Sequence, residues 1–132
     1  MILRIVRFFI FAVVLLAPAY AFAEPPRFIP GLEDVPMLSD ASILPDQGFA
    51  FDAPSTRVVE VYLATKIPER DIYDFYARTL PELGWQPYTR QTYVREDERL
   101  TILIDYTDAV INERVVRFLL SPHTAPERNT SS

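Results

Sequence analysis

After residue 23, only one stretch of this chain carries apolar side chains at helical spacing. Ile72, Phe75, Tyr76, Leu80 and Leu83 fall at offsets 0, 3, 4, 8 and 11, which is one stripe along a helix. Every other patterned stretch alternates. A chain with a single helical stripe has to bury it against a sheet, and one helix crossing one face of an antiparallel sheet does this most economically. The helix brings its own start and stop signals. Pro68 opens it where a missing N–H costs nothing, and Glu69 and Asp71 place negative charge in the first turn. Arg70, Asp74, Arg78 and Glu82, four apart, form the wet face with alternating charge. Pro81 removes a bond to the Ala77 carbonyl, so a bent last turn is expected. Gly84 then suits the left-handed residue that ends a helix, and Trp85 takes the next position, where an apolar side chain folds back on Leu80 or Pro81. Trp85 is therefore read as a plug for the helix end in preference to a ligand platform, although tryptophan is also a frequent binding anchor.

The alternating stretches supply the sheet. Gly48 to Asp52 (GFAFD) and Arg57 to Thr65 (RVVEVYLAT), joined by the turn residues APST, read as a hairpin. In its second strand Val59, Val61 and Leu63 are expected inward, with Val58, Glu60, Tyr62 and Ala64 on the reverse. Beyond the helix, Tyr88 to Arg95, Arg99 to Tyr106 and Arg114 to Ser121 read as a meander, with a charged turn at Glu96 to Glu98 and a looser connection at Thr107 to Glu113. Leu100, Ile102, Ile104 and Tyr106 share one face, and Val116, Phe118 and Leu120 are expected inward before Pro122 stops pairing. The fold class is α+β: a single small domain, β-β-α-β-β-β, one helix on a mainly antiparallel sheet. The pairing of the second and fourth patterned strands is left open, because the helix crossing permits more than one sheet order.

Four regions follow. Residues 1–23 form a leader: Arg4 and Arg7, the apolar run Phe8 to Ala17, and the small residues Ala21 and Ala23 before Glu24. These are the three parts of a secretory signal, too short for a spanning helix of roughly 20 apolar residues. Cleavage after Ala23 is expected; the competing reading is an uncleaved anchor. Residues 24–47 hold five prolines and no sustained period, yet carry Phe28, Ile29, Leu32, Val35, Met37, Leu38, Ile43 and Leu44. So apolar a segment is expected to lie irregularly against the domain, covering Leu103 and Leu119 on the reverse face of the sheet. Residues 48–122 are the α+β domain. The polar end, 123–132, reads as a disordered tail.

The combination of Pro30 to Leu32, FDAP (Phe51 to Pro54), RVVEVYLAT and FYARTLPELGW (Phe75 to Trp85) resembles a set of small exported proteins of unknown function from Gram-negative bacteria. The resemblance spans most of the chain after the leader and implies compartment and shape, with no catalytic or binding residue attached. The chain departs from it at Thr107 to Glu113, where Val110 and Ile111 put apolar side chains on an expected polar loop.

Chemistry is sparse by composition. There is no cysteine, hence no disulfide, thiolate nucleophile or lipid-modified cysteine. The single histidine, His123, lies past Pro122 with no evident neighbour to orient it, so a Ser-His or Cys-His arrangement lacks its base, and a zinc site lacks ligands. Gly31, Gly48 and Gly84 are too dispersed for a phosphate loop. Glu96, Asp97 and Glu98, with Asp105 and Asp108, leave only carboxylate chemistry, and a contiguous acidic trio at a hairpin tip is ordinarily a solvated turn. Asn129-Thr130-Ser131 matches a glycosylation sequon, to which no role is given. Without the leader, eleven basic residues face eighteen acidic ones, a net charge of −7, which disfavours nucleic acid and anionic membranes.

These readings lead to two expectations. The first is an exported, periplasmic or secreted, non-catalytic module without metal or cofactor that binds another envelope protein through sheet edges or residual apolar surface. The second is a small apolar-ligand binder using a groove between helix and sheet, with Trp85, Tyr62, Tyr73 and Tyr76 as its binding residues. Oligomeric state is left open.

Overall fold

The structure, a computed structural model, describes residues 27–53, 56–108 and 112–124. The leader and its cleavage site, the residues Pro54 and Ser55 of the hairpin turn, Val110 and Ile111, and residues 125–132 of the tail lie outside the described residues.

The elements run β1 (Phe28–Ile29), β2 (Leu32–Pro36), β3 (Ser42–Ile43), β4 (Phe49–Ala53), β5 (Thr56–Thr65), α1 (Glu69–Thr79), a 3-10 turn (Pro81–Leu83), β6 (Gln86–Pro87), β7 (Thr92–Arg95), β8 (Glu98–Asp108) and β9 (Glu113–Pro122). Strands β3 to β9 form one seven-stranded antiparallel sheet in the order β3-β5-β9-β8-β7-β6, with β4 also paired to β5. The question of sheet order is thereby settled. Helix α1 carries the chain from β5 across to β6 at the far edge, and the meander walks back until β9 pairs antiparallel with β5, Val61 opposite Phe118. The fold is α+β, with one described α-helix and mostly antiparallel strands.

The helix ends earlier than its stripe suggests. The α-helix ends at Thr79, its last bond running from Leu80 N–H to Tyr76 O (3.0 Å), and Pro81, which cannot donate, leads a 3-10 turn closed by Leu83 N–H to Leu80 O (3.0 Å). Tightening the turn swings Leu83 outward to 38% exposure, so Leu83 leaves the stripe while Ile72, Tyr76 and Leu80 are fully buried. Gly84 sits at φ 90°, in the left-handed region, and Trp85 N–H reaches back to Leu80 O at 3.1 Å. Expected strand Tyr88 to Arg95 forms only over Thr92–Arg95, because Tyr88 and Thr89 both turn their N–H groups to the Thr92 carbonyl.

The largest departure concerns residues 27–47. They are not irregular: β1 and β2 form a small antiparallel hairpin and β3 joins the main sheet. Nor do they cover Leu103 and Leu119. Ile29, Leu32, Val35 and Leu38 bury themselves in the same core as Val59, Leu63, Tyr76 and Phe118, and the Tyr76 hydroxyl donates to Pro36 O at 2.9 Å. Size explains the placement. A helix of eleven residues is about 16 Å long and about 10 Å wide, whereas strands about 4.8 Å apart make this sheet more than twice that width. The helix leaves part of its own side of the sheet open, and the lead fills it.

Candidate functional site

The cross-strand registers divide the sheet's side chains between two faces. Val59, Val61, Leu63, Tyr93, Leu100, Ile102, Val116, Phe118 and Leu120 point to the core and are buried. On the reverse face stand Phe49 and Phe51 of β4, Val58, Glu60 and Tyr62 of β5, Arg117 and Leu119 of β9, Arg99, Thr101 and Leu103 of β8, and Val94 of β7. No described element is packed over them. Leu103 and Leu119 are half-buried there, while Phe49 and Phe51 are 52% and 57% exposed.

On this face, between β4 and β9, lies Glu60, only 8% exposed. Its Oε1 accepts from Arg117 Nε and from the Tyr62 hydroxyl. A carboxylate so covered needs such donors, since burial of an unpaired polar group is costly. The bond to Glu60, followed by desolvation, raises the Tyr62 hydroxyl above its ordinary pKa, so the phenol stays a donor through the neutral range. At one end of the face, Arg99 Nη2 lies 3.0 Å from His123 Nδ1, and Arg99 also stands over the Tyr88 ring. His123 is thus not without neighbours: its backbone N–H bonds Asp97 O at 2.6 Å, because β9 extends opposite Glu98 through Pro122 and carries His123 into reach.

The four residues singled out as binders do not form a site: three share the buried core and Tyr62 lies apart from it. Trp85 is 1% exposed beneath the Arg95 guanidinium, 4.4 Å from its ring centre, and its indole N–H meets no acceptor among the described residues. Tyr76 is wholly buried, and burial pushes its hydroxyl far above the usual phenol range. Tyr73 is buried beside them, its hydroxyl accepting from Gln91 Nε2 at 3.0 Å. Tyr62 lies across the sheet. The space between helix and sheet is filled by Ile72, Tyr76, Leu80 and Trp85. Among the carboxylates, Glu98 is paired with Arg57 and Arg95, and no three acidic or histidine side chains of the described residues gather as a metal site.

A different concavity does exist. A cleft of about 250 Å³ lies beside β4, walled by Pro30, Ile43, Leu44, Pro45, Phe49 and Ala50. Gly48 at its floor is required, because a Cβ there would stand 2.5 Å from the Glu60 carbonyl oxygen. Sequence reading passed over Phe49, Phe51 and this cleft. A usable signal was present in GFAFD, where aromatic residues alternate with small ones, a pattern that puts both rings on one face. Glu60 and Arg117 had one too: each is a charge that interrupts a run of uncharged, mostly apolar residues, VVEVYLA and VVRFLL. No family model matches the chain, and comparison with curated proteins and with solved structures finds no match.

Proposed function

We propose that this chain is an exported, periplasmic or secreted, non-catalytic module that binds another protein of the envelope through β4 and the reverse face of its sheet. Export rests on the leader. Binding rests on one observation above the others: Phe49 and Phe51 stand half in water, side by side on an edge strand, next to a face that no described element covers. Single exposed apolar residues are ordinary, but adjacent aromatics continuous with an open sheet face are the composition of a contact surface. Among the described residues the most buried carboxylate, Glu60, is already committed to Arg117 and Tyr62.

The test is a photo-crosslinking amino acid placed at Phe51, with a control at Arg78 on the wet face of α1, in cells producing the protein from its own leader. A discrete protein adduct at position 51 and none at 78 is the expected result. Equal labelling at both positions, or none, would sink the reading. The cleft beside β4 favours a second reading, a small apolar ligand, though about 250 Å³ lies just below the ordinary range for such pockets. Native mass measurement on gently recovered protein separates the two: a small apolar adduct supports the ligand, a protein adduct the module.

A further inference from the structure

Strand β4 offers more than two rings. Leu44 N–H donates to the Tyr62 carbonyl at 2.9 Å. Both backbone groups of a strand residue point to the same side, so the even-numbered residues of β5 aim theirs toward β3 and β4. Their partners Phe49, Phe51 and Ala53 therefore turn inward. Ala50 and Asp52 turn N–H and C=O away from the sheet, where no described strand is paired with them. An unpaired row of this kind is a template for another strand.

The side chains specify which strand. Phe49 and Phe51 line the edge on the reverse face, and Ala50 and Asp52 line it on the other. Along the stretch from Ser39 to Ala53 the chain has Asp40, Asp46 and Asp52 and no lysine or arginine. All three aspartates are exposed, and among the described residues none forms an ion pair. Arg57 is directly opposite Asp52, yet its guanidinium is turned to Gly31 O (2.6 Å), Glu33 (3.4 Å) and Glu98 (3.8 Å). The edge is apolar on one face and acidic on the other. Opposite charges across a strand pair stabilise it and like charges oppose it. We infer that β4 receives an extended segment of a partner protein in which apolar and basic residues alternate, added antiparallel or parallel at the free edge. Its apolar side chains lie beside Phe49 and Phe51, and its basic ones lie beside Asp52 and the acidic run that leads to it. The mode is strand addition, with backbone bonds giving affinity and alternate side chains giving specificity.

This inference rests on the binding reading above, and its test is chosen to fail separately from it. The mature chain is titrated at low salt with two labelled peptides, VKVKVKV and VEVEVEV, and binding is read by fluorescence anisotropy. The basic peptide is expected to bind at least about tenfold more tightly, a difference of about 1.4 kcal/mol, and to weaken as salt is added. Hydrogen exchange should slow at the Ala50 and Asp52 amides. Ala50→Pro removes an outward donor that the fold does not use, so it should abolish binding at an unchanged melting temperature. Should Ala50→Pro fail to fold, Asp52→Lys decides by lowering or reversing the preference for the basic peptide. Equal binding of the two peptides, protection elsewhere on the molecule, or an indifferent Asp52→Lys would overturn the inference. So would a dimer of the chain in sedimentation that Ala50→Pro dissolves, since a second copy would then own the edge. If the peptides fail while Phe51 still crosslinks to a protein, the module stands and the basic strand is wrong. If both fail, the module itself is wrong.

Discussion

The two faces of the main sheet are built from the same strands, residue by residue in alternation, and they have opposite fates. On one, Leu63, Leu100, Ile102, Val116 and Phe118 are fully buried under two covers, α1 and the β1-β2 hairpin. On the other, Val58, Leu103 and Leu119 are half-buried without a described cover, and the most enclosed side chain apart from Ala64 is a charged one, Glu60. A strand period of two decides which residues share a face, but it does not decide which face is covered. Coverage depends on where the remaining chain can reach. Here the helix is too narrow for its own side of the sheet, so the lead was drawn to that side and the reverse was left open.

The sharpest break in this comparison is expected at Trp85. Trp85→Ala opens a cavity at the helix end, removes the ring beneath Arg95, and should cost about 3 to 5 kcal/mol, read as a lower urea midpoint at unchanged slope. A cost within about 0.5 kcal/mol, the range of an ordinary surface site, would show that Trp85 is not part of the core. The lead comes next. Leu32 is buried with Ile29 and Val35, and Leu32→Ala should cost about 2 to 4 kcal/mol. If that substitution is silent, the hairpin is an ornament and the core face has only one cover.

Burial on the core face also predicts an alkaline limit. Tyr76 is enclosed, donates to Pro36 O, and burial lifts its hydroxyl pKa; Tyr93 is shifted the same way by the same cause. The folded protein thus keeps protons that the unfolded chain releases above about pH 10. Fewer protons are bound in the unfolded state, so stability is full below that pH and falls as pH rises, by up to about 1.4 kcal/mol per pH unit per buried phenol. Tyr76→Phe should cost about 1 kcal/mol near neutrality through the lost bond to Pro36 and should flatten the fall between pH 10 and 11. Unfolding curves at pH 8, 10 and 11 read both effects; an unchanged slope in the variant would show that Tyr76 ionises as freely when folded as when unfolded.

How much of this was legible beforehand follows the range of the forces involved. The inward set of β5, the buried triad of β9 and the glycine after the helix were readable because period, capping and β propensity act within a few residues. Leu83 was misplaced because Pro81 does more than loosen a turn: it changes the helix type and rotates everything after it. The lead was misplaced for a different reason. Its apolar residues announced burial, but the choice of face depended on the width of a sheet whose order the sequence left open. The candidate site was the least legible. Trp85, Tyr73 and Tyr76 attract notice as aromatics and are core, whereas Phe49 and Phe51, in a short strand that looked like ordinary hairpin, are the aromatics left in water.

The smallest expected effect separates the two faces most directly. Phe51→Ser removes a large apolar ring, a change that would be ruinous at Phe118. At a position 57% exposed on an edge strand, where the ring touches mostly water already, the loss of burial is slight, and stability should move by no more than about 0.5 kcal/mol. Serine is a poorer strand residue than phenylalanine, so a small loss is expected rather than a gain. The corresponding gain should be in solubility, since an apolar edge is an aggregation hazard and a hydroxyl there weakens it. Unfolding midpoint and the concentration at which the protein precipitates are measured on the same preparation. A loss of 2 kcal/mol or more would mean that Phe51 is covered in solution by something the chain itself supplies, and the reverse face would then be a second core instead of an open surface.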